Sequence, residues 1–167
     1  MTRRGFTIVE LIIVITIIGI LLTLAVVGLN GTQAKARDDE RKTDVATIGT
    51  YLENYFTAGA PINGPGQYPP TELASEQWLK PYLPDADLKA FTAPGSSSPY
   101  DSFIPAINNT TTTSGVLPQP TTTQYVYQPL RADGSLCAND TQECRKFNLY
   151  YRLESDDMVY RYESRNR

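Results

Sequence analysis

Few side chains in this sequence are of a kind that does chemistry. There is no histidine and there are two cysteines, Cys137 and Cys144. The commonest general base, the commonest metal ligand and any Cys/His nucleophile pair are therefore missing. No phosphate-cradling glycine loop and no serine-nucleophile motif is present either, so the sequence reads as non-enzymatic. Asp133-Gly134-Ser135, Asn139-Asp140 and Asp156-Asp157 carry oxygen ligands of the sort calcium takes, but none has EF-hand spacing, and turn formation explains them better. No cofactor and no metal are implied. The one carboxylate in an unusual place is Glu10, at the mouth of a long apolar run. A carboxylate in a bilayer costs roughly 2.5–3.5 kcal/mol on the insertion scales and needs a partner; snorkelling to the headgroups is the alternative.

The elements that must position these groups begin with that run. From Leu11 through Ala34 no residue is charged for 24 positions. As a helix it extends about 36 Å, enough to cross a bilayer. Arg3 and Arg4 precede it; Lys35, Arg37, Arg41 and Lys42 follow, interleaved with Asp38, Asp39, Glu40 and Asp44. Counting Lys and Arg does not settle its orientation. An ordinary secretory signal has a shorter apolar core, so cleavage at Ala34-Lys35-Ala36 fits poorly. Beyond the run, Val45, Ile48, Leu52 and Tyr55 recur at helical spacing, with Tyr51 and Phe56 beside them. Gly59 and Pro61 are stop signals, so one helix is expected over Phe6 to Ala58, roughly 80 Å long. Gly28, Asn30 and Gly31 are its weak patch, since glycine in a helix interior costs about 1 kcal/mol relative to alanine.

Past Pro69-Pro70, a short helix or ordered loop over Leu73 to Leu83 offers Trp78, Leu79, Tyr82 and Leu83 for packing. In residues 92–123, 22 of 32 are Ser, Thr, Pro, Gly or Asn, which predicts an exposed loop that buries little. Strands follow at Tyr125-Val126-Tyr127, Phe147 to Leu153 and Met158 to Glu163, with Phe147, Leu149, Tyr151 and Leu153 sharing the face that packs on the helix. Cys137 and Cys144 are an even pair in a chain that opens on an export-like segment, so a disulfide is the natural reading and two unrelated cytosolic thiols the alternative. Closing that loop stabilises by about 2.5 kcal/mol in the chain-entropy model. Sequons at Asn108, Asn109 and Asn139, and the Thr-rich tract, are open to glycosylation. The basic and aromatic segment from Arg145 to Arg167 carries four acidic residues, so a charge-mixed solvated face fits it better than a DNA contact.

Residues 5–29, GFTIVELIIVITIIGILLTLAVVGL, closely resemble the class III signal and N-terminal helix of type IV pilins and type II secretion pseudopilins. The matching features are the short basic leader, Gly5, Phe6, Thr7, Glu10 and the uninterrupted apolar run. Many members carry a proline where this chain has Val27. The resemblance implies an α+β pilin fold, a long N-terminal helix with a small antiparallel sheet packed on its second half. It implies four parts: a leader at 1–5, an apolar transmembrane and assembly helix at 6–34, its amphipathic half at 35–58, and a head at 59–167. It implies cleavage between Gly5 and Phe6 by a membrane aspartyl prepilin peptidase and N-methylation of Phe6. Removing Arg3 and Arg4 leaves 13 Lys and Arg against 18 Asp and Glu, a side-chain charge of −5. It gives Glu10 the role of neutralising the Phe6 amine of a neighbouring subunit, and a disulfide often clips the C-terminal region. The expected partners are copies of the chain, other pilins, the peptidase, the pilus assembly platform and the cytoplasmic membrane before assembly. The expected end point is an extracellular filament serving adhesion, motility or DNA uptake. The alternatives are a secretion pseudopilin and, from another class, a membrane-anchored ligand-binding or enzymatic ectodomain.

Overall fold

The computed structural model describes residues 6–59 and 64–166, with the backbone alone for 25–30. The leader 1–5, which contains Gly5, lies outside the described residues, as does the side chain of Val27.

Helix α1 runs from Ile8 to Ala58, 51 residues, or about 77 Å at 1.5 Å per residue. Thr7 caps its start, and Gly59, at φ 66°, ends it with its N–H on the Tyr55 carbonyl. The positive φ suits glycine, and a Cβ there would also lie 2.8 Å from the Pro65 ring. The two halves of α1 differ in what surrounds them. Residues 6–24 are exposed on all sides although 13 of the 19 are Ile, Leu or Val. From residue 38 onward one face is buried, by Asp38, Arg41, Val45, Ile48, Leu52 and Tyr55 at three- and four-residue steps. Among the described residues no helix is long and apolar enough to cross a membrane. The uncharged run from Leu11 to Ala34 passes through residues 25–30, whose side chains are not among those described.

Two short helices, α2 (Leu79–Tyr82) and α3 (Pro99–Ser102), and 3-10 turns at Thr71–Leu73 and Leu88–Phe91 lead to a four-stranded sheet. Its strands are β1 (Phe103–Pro105), β2 (Tyr125–Leu130), β3 (Lys146–Arg152) and β4 (Val159–Glu163), in the order β1-β2-β3-β4. The last three pair antiparallel, in the registers Tyr127↔Leu149 and Tyr150↔Arg161. β1 is an addition to the expected sheet and pairs with β2 in parallel, Phe103 opposite Tyr125.

Period-two alternation sorts the strands onto two layers. Tyr125 and Tyr127 of β2 and Phe147 and Leu149 of β3 face α1, with Tyr151 packed against them. The opposite faces carry Val126 and Tyr150, which pack with Ala106 and Val116. The 92–123 stretch therefore departs from its expected character. It contributes α3, β1 and the buried Ala93, Ser102, Phe103, Ala106 and Val116, and it covers the sheet face turned away from α1. The physical reason is that β2 is buried along its whole length, and its outer face, with Val126 beside Gln128, takes both apolar cover and hydrogen-bond partners from this stretch.

Candidate functional site

At the tip of α1, Thr7 and Glu10 form a reciprocal capping box. The Glu10 N–H donates to Thr7 Oγ1 at 3.2 Å, while Glu10 Oε2 accepts from the Thr7 N–H at 2.9 Å and from the Thr7 hydroxyl at 2.8 Å. Thr-x-x-Glu ahead of an apolar run is the sequence signature of this arrangement. That signal, present at Thr7 to Glu10, gives Glu10 a local role that its place in an apolar run alone does not suggest. Phe6 precedes the cap and is exposed. Thr16 and Thr23, polar residues of the run, donate to the carbonyls of Ile12 and Gly19 at 2.7 and 2.8 Å, which leaves their methyls outward.

A second constellation sits where α1 enters the head. The charges after the apolar run look in sequence like a solvated flank, but Asp38 and Arg41 are turned inward and almost fully buried. Asp38 accepts from the backbone N–H groups of Glu154 and Ser155 at 2.7 and 2.9 Å, capping the β3–β4 turn from the side of the helix. Arg41 donates to Asp38 at 2.8 Å and to the Thr122 carbonyl at 2.6 Å. Arg37 grips Glu154 through two bonds of 2.8 and 2.6 Å. Burial alone raises the Asp38 carboxyl. The Glu154 and Ser155 donors and Arg41 outweigh it and hold the group down at about 2. Helix, β3–β4 turn and Thr-rich segment are thus tied at one collar, just below the exposed arm.

Two further buried acids hold the head to α1. Glu53 accepts from Tyr68 Oη at 2.9 Å, the Arg165 N–H at 2.8 Å and the Asn166 amide at 3.1 Å, which fixes the C-terminal residues. Asp44 accepts from Tyr125 Oη at 2.8 Å. Burial pushes the Asp44 carboxyl up to about 6 against the Tyr125 bond, with Glu40 adding to the rise and Lys89 and Arg41 opposing it.

The Asp44 shift carries a pH prediction. A carboxyl raised in the fold is protonated in both states below about pH 4, so it costs nothing there. Between pH 4 and 6 the unfolded chain ionises first, and stability falls as pH rises. Above pH 6 the whole penalty is present, about 1–3 kcal/mol. Asp44→Asn keeps an acceptor for Tyr125 and removes the charge. Urea unfolding should show it stabilised by that amount at pH 7 and unchanged at pH 4; equal effects at both would mean that Asp44 is ionised normally in the fold.

Cys137 and Cys144 are joined, with a Cα–Cα distance of 5.6 Å. Their carbonyls accept from the Thr71 and Tyr68 N–H groups at 3.0 and 2.8 Å, so the clipped loop also anchors the chain leaving α1. Asp133 accepts from Ser135 and Asp156 from the Met158 N–H and Tyr160, which is turn chemistry. Among the described residues no group of three or more His, Cys, Asp or Glu is placed to hold a metal ion. The basic segment is internally matched: Arg145 pairs with Glu143, Arg152 with Asp157 and Arg161 with Glu163.

Residues 1–26 match the family model described as the prokaryotic N-terminal methylation motif. The match takes in Gly5, Phe6, Thr7, Glu10 and the apolar run up to residue 26. The chain is 39% identical over 55 residues to the type IV major pilin protein PilA of Myxococcus xanthus, covering 33% of this chain and 25% of that protein. It is 32% identical over 84 residues to type II secretion system core protein G of Klebsiella michiganensis, covering 50% and 55%. Against core protein G of Escherichia coli it is 38% identical over 53 residues, covering 32% and 37%. The chain thus spans from a quarter to about half the length of these relatives. No solved structure matches it. The matched motif lies at the start of the long helix, in an α+β architecture whose small sheet packs on the second half of that helix.

Proposed function

We propose that this chain is a structural subunit of a type IV pilus-like extracellular filament. The precursor sits in the cytoplasmic membrane through the apolar half of α1. The prepilin peptidase cuts between Gly5 and Phe6, the Phe6 amine is methylated, and the assembly platform adds the subunit to a growing filament of like chains. The observation that carries this reading is the aliphatic arm of residues 6–24, exposed on every side in the single chain and continuous, through one helix, with a folded head. Such a surface has to be covered, first by lipid and then by the arms of neighbouring subunits, so that assembly exchanges one apolar contact for another. Glu10 supplies registration. It lies at the same end as the new amine, and a carboxylate on one subunit opposite an amine on the next favours one axial position over others.

A second reading, a secretion pseudopilin, is favoured by the matches to core protein G, the longest of which covers half of this chain. Electron microscopy of the sheared cell-surface fraction, labelled with antibody to the head, tests the first reading. Labelled surface filaments are the expected result. Processed protein that stays with the cell envelope, without filaments, would overturn it in favour of the second.

A further inference from the structure

The β3–β4 hairpin, residues 146–163, carries seven charged residues. Five of them are spent on ion pairs within the head: Arg152 with Asp157, Arg161 with Glu163, and Glu154 with Arg37 and Arg41. The two left over, Lys146 and Asp156, have no ion-pair partner among the described residues. They are of opposite sign and stand at opposite ends of the hairpin. Asp156 belongs to the turn that Asp38 holds at the collar. Lys146 begins β3 at the end where Ser164 bonds Phe147 and the Arg165 N–H donates to Glu53. From Asp38 to Glu53, α1 rises about 22 Å at 1.5 Å per residue.

Each end has a shape to go with its charge. At the turn end, Asp156 accepts from Tyr160 Oη at 2.7 Å and from the Met158 N–H at 2.9 Å, which fixes the carboxylate and holds it below the usual carboxylate range. Beside it Met158 is 59% exposed, an unbranched side chain of the kind that adapts to irregular gaps. At the other end a cleft of about 420 Å³ opens on the outer sheet face, lined by Leu130, Gly134, Lys146, Asn148 and Arg161 among others. The carboxylates of the cleft are engaged within the head, Asp133 with Ser135 and Arg131 and Glu163 with Arg161, so Lys146 gives the cleft its unbalanced charge.

We propose that in the filament the β3–β4 turn of one subunit docks in this cleft on the next, with Asp156 opposite Lys146 and Met158 against Leu130. The inference rests on the filament reading and names a contact between its heads. The occupant is a second copy because both halves of the contact, complementary in charge, are carried by one chain and are separated along the direction of α1. A contact between two different surfaces of the same chain does not close into a two-fold pair, and repeated with an axial step it builds an open array. The paired charges favour one axial position of the heads over others.

Charge reversal in the cells that naturally make the chain tests this. Lys146→Glu and Asp156→Lys each place like charges across the contact, and each should reduce sheared filament at least about fivefold relative to processed protein in whole cells. Co-expression of the two single variants should restore it, since each variant then finds the opposite sign at both ends of the other, in filaments of alternating subunits. A folding defect is not repaired by a second, separately defective chain, so this arm holds even where Asp156→Lys loosens the turn. Wild-type yield from either single variant, or a loss that co-expression leaves in place, would overturn the contact. Surface filaments of the wild-type chain report on the filament reading by themselves, so the two outcomes are distinguishable.

Discussion

Glu10→Ala should abolish most of the sheared filament while leaving the amount of processed protein nearly unchanged. The substitution removes an unfavourable insertion cost of roughly 2.5–3.5 kcal/mol, so the precursor reaches the membrane at least as well. It also removes both a charge and the Thr7 capping box, whose loss costs about 0.5–2 kcal/mol of local helix stability. Glu10→Gln separates the two effects, because glutamine completes a capping box as glutamate does but carries no charge. If registration comes from charge, the methylated amine of the incoming Phe6 meets no carboxylate in either variant, and both fail to assemble. Sheared-fraction and whole-cell immunoblots measure the two quantities. Recovery of normal filament yield in the glutamine variant would assign Glu10 to helix capping and remove the docking role.

Arg41→Ala should be the most destabilising single change in the head, at about 3–5 kcal/mol by urea unfolding at pH 7. It deletes the guanidinium that neutralises a buried carboxylate and leaves the Thr122 carbonyl without its 2.6 Å donor. Asp38 keeps the Glu154 and Ser155 N–H groups, so the pair Arg41→Met with Asp38→Asn should cost clearly less than the sum of its single changes. The pH dependence has the opposite sign to that of Asp44. Asp38 is depressed to about 2, so its contribution is in place above about pH 4 and fades as pH falls through 2. An Arg41→Ala loss under 1 kcal/mol would mean that the collar does not join arm to head.

Much of this was legible because it rests on period and punctuation. The 3.6-residue stripe of Val45, Ile48, Leu52 and Tyr55 and the stop at Gly59 define the buried face and the end of α1. Alternation in β3 puts Phe147 and Leu149 on the helix side. What escaped was carried by polar side chains whose direction no period reveals. Asp38 and Arg41 stand among Lys35, Asp39, Glu40 and Lys42, and only the turn at Glu154 and Ser155, more than a hundred positions away, decides which of these charges turn inward. Gln128 looks like a surface residue of a half-exposed strand until the Thr-rich segment supplies the carbonyls it binds. Composition misleads for the same segment: threonine and proline bury little on their own, yet Ala106 and Val116 within it pack on the outer face of β2, with Ile104, Leu136 and Val159 beside them. At the arm, the Thr7 to Glu10 box was available in the sequence as Thr-x-x-Glu.

Whether the filament subunit is made by a cut after Gly5 is decided by the intact mass of the chain in the sheared filament fraction. The expected chain begins at Phe6, carries one added methyl group and holds the Cys137–Cys144 bond oxidised. A chain in that fraction beginning at Arg37, as an ordinary signal peptidase would leave it, or still carrying Met1 to Gly5, would contradict it.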